Sequence, residues 1–157
     1  VVACILDRPR HAELINAVRE AGARIMLIGD GDVAGVMATA MPETNIDVYM
    51  GTGGAPEGVL AAAALRCIGG NIQGRLLFRN DNERGRAAKV GVEDLNRKYA
   101  ITDLAEGDLI FAATGVTDGN MLQGVRRRGG TICTESVAMR ARTGTVRWIR
   151  MQHPIGN

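Results

Sequence analysis

The feature that most restricts what this sequence can fold into is a unit of apolar strand, polar or glycine-rich loop and apolar-faced helix that recurs three times in its first half. Val1 to Leu6 (VVACIL) is a β-branched apolar run, the texture of a strand buried on both faces. It breaks at Asp7-Arg8-Pro9-Arg10, after which Leu14, Ile15 and Val18 fall at helical spacing within His11 to Ala21. Asp7 is the expected N-cap, and Pro9 suits the first helical turn, where its missing N–H has no intrahelical partner anyway. Gly22 closes that helix. Arg24 to Ile28, Gly29 to Asp32 and Val33 to Met41 repeat the pattern, with Pro42 as the stop. Ile46 to Met50, Gly51 to Pro56 and Glu57 to Cys67 repeat it again, ended by Gly69-Gly70. Successive units of this kind require a parallel sheet, because a strand that returns in the same direction needs a crossover, and that crossover is right-handed.

The second half reads differently. Asn71 to Phe78 is a further strand candidate, Asp81 to Lys98 is charged and helical in part, and Asp108 to Thr114 is a buried strand. Thr131 to Arg140 and Thr145 to Met151 alternate in character around Thr143-Gly144, the signature of a hairpin. The expectation is an α/β fold over residues 1–157: a mainly parallel sheet with flanking helices, to which an antiparallel C-terminal hairpin is added. Aromatics are only 3% of the chain against 46% hydrophobic residues, so Ala, Val, Ile, Leu and Met must fill the core. The 21 glycines fit tight strand-to-helix turns better than a helix bundle.

A net charge of +2 with both signs interspersed gives no nucleic-acid or membrane surface. The densest charge run, Arg126-Arg127-Arg128, reads as a solvated rim or a subunit contact. The three cysteines are an odd number without CxxC spacing, the pattern of reduced thiols in a cytoplasm. Val1 is not an initiator Met and opens directly in a strand, so the chain is expected to be a fragment of a larger protein.

In an open parallel sheet, ligands bind beyond the carboxyl ends of the strands. The loops there carry Arg8 and Arg10 on either side of Pro9, Asp30 and Asp32 on either side of Gly31, and a glycine run through Gly54 to Glu57. Guanidinium groups take phosphate in a bidentate manner, and cations at a helix start run against its dipole, which hints at an anionic partner. Carboxylates after a strand accept from sugar hydroxyls or hold a metal, and a Glu is a hard-metal ligand. Each feature has an ordinary alternative: solvated arginines, Asp32 as an N-cap, Glu57 stabilising the helix dipole. Position alone leaves these open. Gly29-Asp30-Gly31-Asp32-Val33-Ala34 also has the form G-x-G-x-x-A of a dinucleotide loop. Its aspartates would repel a pyrophosphate, and the position for a ribose-binding acid falls near Met50 or Gly51. His11 and His153, with no partner at metal-ligand spacing, read as surface histidines.

Together the segments Asp7-Arg8-Pro9-Arg10-His11, Gly29 to Gly35, Gly53-Gly54-Ala55-Pro56-Glu57-Gly58, Gln73-Gly74-Arg75-Leu76 and Ala113 to Gly119 resemble class II fructose-1,6-bisphosphatases, over nearly all of this chain. The resemblance implies the C-terminal half of a sugar-phosphatase architecture that uses Mg²⁺ or Mn²⁺. It implies Glu57 as a metal ligand and Arg8, Pro9, Arg10, Asp30, Gly31, Asp32 and Gly54 as substrate-binding positions. The remaining ligands and the residues that activate water are then expected in the absent N-terminal half. Its substrate would be fructose 1,6-bisphosphate, with sedoheptulose 1,7-bisphosphate associated with cyanobacterial-type members, and a cytoplasmic homo-oligomer is implied. The alternatives are a sugar-phosphate binding module without chemistry, a nucleotide-binding oxidoreductase domain, and a structural domain whose loops bind nothing.

Overall fold

The computed structural model describes residues 1–155. Its first half holds strands β1 (Val2–Leu6), β2 (Arg24–Ile28) and β3 (Val48–Tyr49), with helices α1 (Ala12–Glu20), α2 (Asp32–Ala38) and α3 (Ala55–Ile68) following them in turn. The three strands form one parallel sheet in the order β2-β1-β3, with Leu6 beside Ile28 and Cys4 beside Tyr49. The central strand β1 is the apolar run of the N-terminus, and Ala3 to Leu6 are all buried. Strand β2 lies at an edge, which leaves Met26 and Leu27 exposed despite their apolar character.

Several boundaries differ from the sequence reading; the third strand, for one, is only Val48–Tyr49. Asp7 does not cap α1. It still belongs to the sheet, its N–H donating to Ile28 O at 2.8 Å, and a 3-10 turn (Pro9–His11) begins after extended Arg8. Helix α2 stops at Ala38, short of Met41, where the Thr39 and Thr44 hydroxyls donate to the carbonyls of Val36, Ala38 and Met41. Helix α3 starts at Ala55, so Pro56 occupies the first turn, where its ring is tolerated.

The second half contains β4 (Gln73–Gly74), α4 (Asp81–Lys89), β5 (Tyr99–Ala100), α5 (Ile101–Leu104), β6 (Ile110–Thr114), β7 (Arg126–Arg128), β8 (Thr131–Arg140) and β9 (Thr145–Pro154). The hairpin falls where the alternation placed it, with β8 and β9 paired along their whole length. It does not extend the parallel sheet. Strand β8 takes β9 on one side, and β6 and β7 share its other side, all antiparallel, in a sheet of their own. The segment from Asn71 to Phe78 keeps the in-out alternation of a strand, yet only Gln73 and Gly74 find a partner, in β5.

Four layers result. Helix α1 covers one face of the parallel sheet, Ile15 and Val18 packing on Ala3 and Ile5. The other face, Cys4, Leu6 and Ile28, meets Tyr49 and Ile46. Tyr49 also packs on Val36 of α2 and on Ala61 and Leu65 of α3. These two helices then join the antiparallel sheet, with Met37, Ala64 and Cys67 against Phe111, Val137 and Met139. Helix α3 serves both sides because small residues line it: Ala61, Ala62 and Ala64 are at most 3% exposed. The chain enters α3 through the loop that follows β3, so Glu57, in the first turn of the helix, lies next to that loop.

Candidate functional site

Parallel register brings the carboxyl ends of β1, β2 and β3 to one edge, so residues 7–10, 29–32 and 50–54 leave the sheet side by side. Hydrogen bonds join the first loop to the third. Arg10 Nε donates to Thr52 O at 2.9 Å, and the Thr52 N–H donates to His11 Nε2 at 2.9 Å. The second loop comes equally close: a β-carbon on Gly53 would stand 3.5 Å from Asp32 Oδ2. Arg10, Asp32 and the glycine loop are therefore neighbours.

Each functional group is set by local structure. Gly31 has φ 76°, the left-handed region, so the chain turns directly from β2 into α2. This makes Gly31 the residue that precedes the helix and Asp32 its first residue, contrary to Asp32 as an N-cap. Asp32 Oδ1 accepts the Val33 N–H at 3.0 Å, which places a carboxylate where a dinucleotide pyrophosphate would have to bind. Electrostatics and geometry thus both oppose a dinucleotide in this loop. Glu57 lies in the first turn of α3 and folds back over Gly54, whose missing side chain makes room for the carboxylate. Helix N–H groups favour an anion there.

Arg10 is exposed, and with Nε held by Thr52 O its two terminal nitrogens have no partner among the described residues. Arg8 differs: its Nη1 donates to Asp7 O of its own loop at 2.9 Å. Pro9 opens the 3-10 turn between them. Asp30 is exposed in the second loop and makes no side-chain hydrogen bond among the described residues. The structure thus draws together Arg10, Asp32, Gly54 and Glu57, while half-buried Arg8 turns to a carbonyl of its own loop and Asp30 is exposed.

Two residues of this edge were not singled out from sequence as parts of a site. His11 is not a surface histidine: it is 1% exposed, with Nδ1 2.7 Å from Leu6 O. Its signal was present in the spacing, since it lies three, four and seven residues before Leu14, Ile15 and Val18 on the apolar face of α1. Tyr49 lies beneath the loops, and its phenol is pushed up to about 12, by burial first and then by the Asp32 carboxylate and Cys4, against the opposing pull of Arg10.

A divalent metal requires several oxygen or nitrogen donors converging on one point. Among the described residues no group of three or more His, Cys, Asp or Glu side chains does so. Nor is any helix of the described residues long and apolar enough to cross a membrane. The Arg126 run forms β7, where Arg126 pairs with Asp118 at 3.1 Å, so part of that charge is used within the fold.

Comparison with known proteins bears on the same segments. Three curated relatives carry the name D-fructose 1,6-bisphosphatase class 2/sedoheptulose 1,7-bisphosphatase. That of Crocosphaera subtropica is 39% identical over 98% of this chain and 48% of its own length. That of Synechocystis is 39% identical over the same shares, and that of Synechococcus 40% identical over 95% of this chain and 47% of its own length. The chain spans about half the length of the curated relatives it matches. The family model described as bacterial fructose-1,6-bisphosphatase, glpX-encoded, matches residues 1–153, and with that the chain belongs to the glpX-encoded family of bacterial fructose-1,6-bisphosphatases.

Proposed function

We propose that this chain forms the sugar-phosphate-binding part of an enzyme that hydrolyses the 1-phosphate of fructose 1,6-bisphosphate, with sedoheptulose 1,7-bisphosphate as a second substrate. The observation that carries the reading is the convergence of Arg10, Asp32 and Glu57 on one sheet edge, within a chain of this family. Arg10 presents its terminal nitrogens to the phosphate that is not cleaved, as a planar fork suited to two oxygens. Asp32 and Asp30 accept from sugar hydroxyls and orient the ring. The glycine loop at Gly54 lets the ligand approach the backbone.

Glu57 contributes one ligand to Mg²⁺ or Mn²⁺, which when bound would supply charge neutralisation at the phosphoryl oxygens. The other ligands and the group that activates water come from outside this chain, in the half of the relatives' length that it does not span. The enzyme works as a homo-oligomer in the cytoplasm, in gluconeogenesis or the Calvin cycle. The donor set of the chain alone also suits a second reading, a sugar-phosphate binding module without chemistry.

The test is phosphate release from fructose 1,6-bisphosphate by the natural gene product that carries this chain, with Mg²⁺ or Mn²⁺ supplied. Glu57→Gln is expected to abolish metal-dependent turnover while the thermal midpoint stays within about 2 °C, the small shift of a benign surface change. Unchanged turnover in that variant removes Glu57 from the metal site. Binding of the sugar bisphosphate without hydrolysis by the wild type favours the second reading.

A further inference from the structure

We propose that His11 is a positioning residue of this site, holding the Thr52 peptide so that the arginine loop and the glycine loop leading to Glu57 keep a fixed spacing. The inference rests on the sugar-phosphate reading above and names a residue that acts through others.

The imidazole has a definite hydrogen-bond assignment. Leu6 O, 2.7 Å from Nδ1, only accepts, so Nδ1 carries the proton. Nε2 then keeps its lone pair, and the Thr52 N–H donates to it at 2.9 Å. The Thr52 carbonyl is 3.3 Å from the same nitrogen but finds no proton there; it is served by Arg10 Nε at 2.9 Å. One neutral tautomer of a buried ring therefore ties the end of β1 to the third loop. Two consecutive residues, Arg10 and His11, hold the C=O and the N–H of one residue, Thr52, and with them the peptides on either side of it.

Thr52 lies within the glycine run. Gly51, Gly53 and Gly54 are all exposed and carry no side chain that would anchor the loop. Its fixed points are the strand before it, the helix after it, and the clamp on Thr52. The clamp also fixes Arg10, because its Nε is committed to the loop and only its terminal nitrogens are left for an anion. The ring is fitted closely as well: a β-carbon on Gly51 would stand 3.2 Å from His11 Cε1 and 3.6 Å from Tyr49 Cε1. A ligand bound by Arg10 on one side and by the glycine loop on the other thus meets a geometry set in advance, which lowers the ordering cost of binding.

The experiment uses the natural gene product that carries this chain, with fructose 1,6-bisphosphate as substrate. His11→Asn retains a donor toward Leu6 O but is too short to reach the Thr52 N–H. His11→Gln places an amide oxygen near the position of Nε2. His11→Asn is expected to raise KM about tenfold, the usual cost of losing an orienting partner, with a smaller change in kcat. His11→Gln should recover most of that loss. In a double-variant cycle, Arg10→Ala combined with His11→Asn should raise KM by less than the product of the two single effects, because part of what His11 does is to position Arg10 through Thr52.

Gly51→Ala, which presses on the ring without removing it, should give a smaller rise in KM and serves if His11→Asn does not fold. Faster hydrogen exchange at the Thr52 amide in His11→Asn, reversed in His11→Gln, would support the clamp without reference to turnover. An unaltered KM in His11→Asn and Gly51→Ala overturns the assignment. So does equal loss in the Asn and Gln variants that follows a fall in thermal midpoint. A wild type that neither binds nor hydrolyses the bisphosphate overturns the functional reading instead, and this assignment with it.

Discussion

At the scale of single residues, Tyr49 tests whether the site is assembled as described. Its phenol ionises at about 12, raised by burial and by the Asp32 carboxylate, whereas an unfolded tyrosine ionises near about 10. Between those values the unfolded chain has released the proton and the folded chain has not. Fewer protons are then bound in the unfolded state, so stability falls as pH rises from about 10 to about 12 and is unaffected by this group below that window. Tyr99, the second of the two tyrosines, must be removed to read it: a Tyr99→Phe variant titrated by ultraviolet absorbance is expected to give one midpoint near 12. A midpoint near 10 would place Tyr49 in water, away from Asp32. At this scale the position of Arg10, Asp32 and Glu57 was legible in the sequence, because residues from the end of a parallel strand to the first turn of its following helix lie at the carboxyl edge of the sheet. Their partners were not. Nothing along the chain states that the Thr52 peptide, 41 residues away, takes the hydrogen bonds of His11.

At the scale of elements, the segment between β6 and β7 is the most tightly cinched loop. Gly115 N donates to Glu135 O, Val125 N to Val116 O, Gly124 N to Asp118 Oδ1 and Gln123 N to Glu135 Oε2. The Gly124 N–H and Arg126 hold the Asp118 carboxyl below its usual range, and Arg150 with the Gln123 N–H does the same for Glu135. Gly124→Ala would set a β-carbon 2.6 Å from Thr117 C and 2.7 Å from Asp118 N, backbone that cannot step aside. The expected cost is about 1–3 kcal/mol, read as a lower urea midpoint at constant slope. Gly85→Ala, on exposed α4 with open space around it, should instead stabilise by about 0.5–1 kcal/mol. Equal responses at the two positions would contradict this packing. The β8–β9 hairpin was readable from alternation around Thr143-Gly144, since a period of two has few other meanings. Residues 71–78 carry the same alternation and pair at only two positions, because pairing needs a neighbour and periodicity does not name one.

At the scale of the whole molecule, four layers bring Arg10, Asp32 and the glycine loop that leads to Glu57 to one edge of the parallel sheet. The described residues do not bring together three His, Cys, Asp or Glu side chains that could hold a metal ion. The 157-residue chain by itself is therefore expected to bind fructose 1,6-bisphosphate without releasing phosphate, measured by calorimetry and by a phosphate assay with Mn²⁺ present. Phosphate release above the blank would mean that the chain completes a metal site alone.

The sequence by itself determined the kind of fold, the sheet edge at which the three loops emerge, and the family. These follow from periodicity, from the direction in which parallel strands run and from loop residues read in order, all properties carried along the chain. Only the tertiary structure decided that the antiparallel strands form a separate sheet, that α3 lies between the two sheets, and that His11 is buried and bonded to Thr52. Those depend on which apolar faces meet. A strand or helix shows in its own residues that it has a face to bury, but the partner that buries it is chosen by the packing of the whole chain.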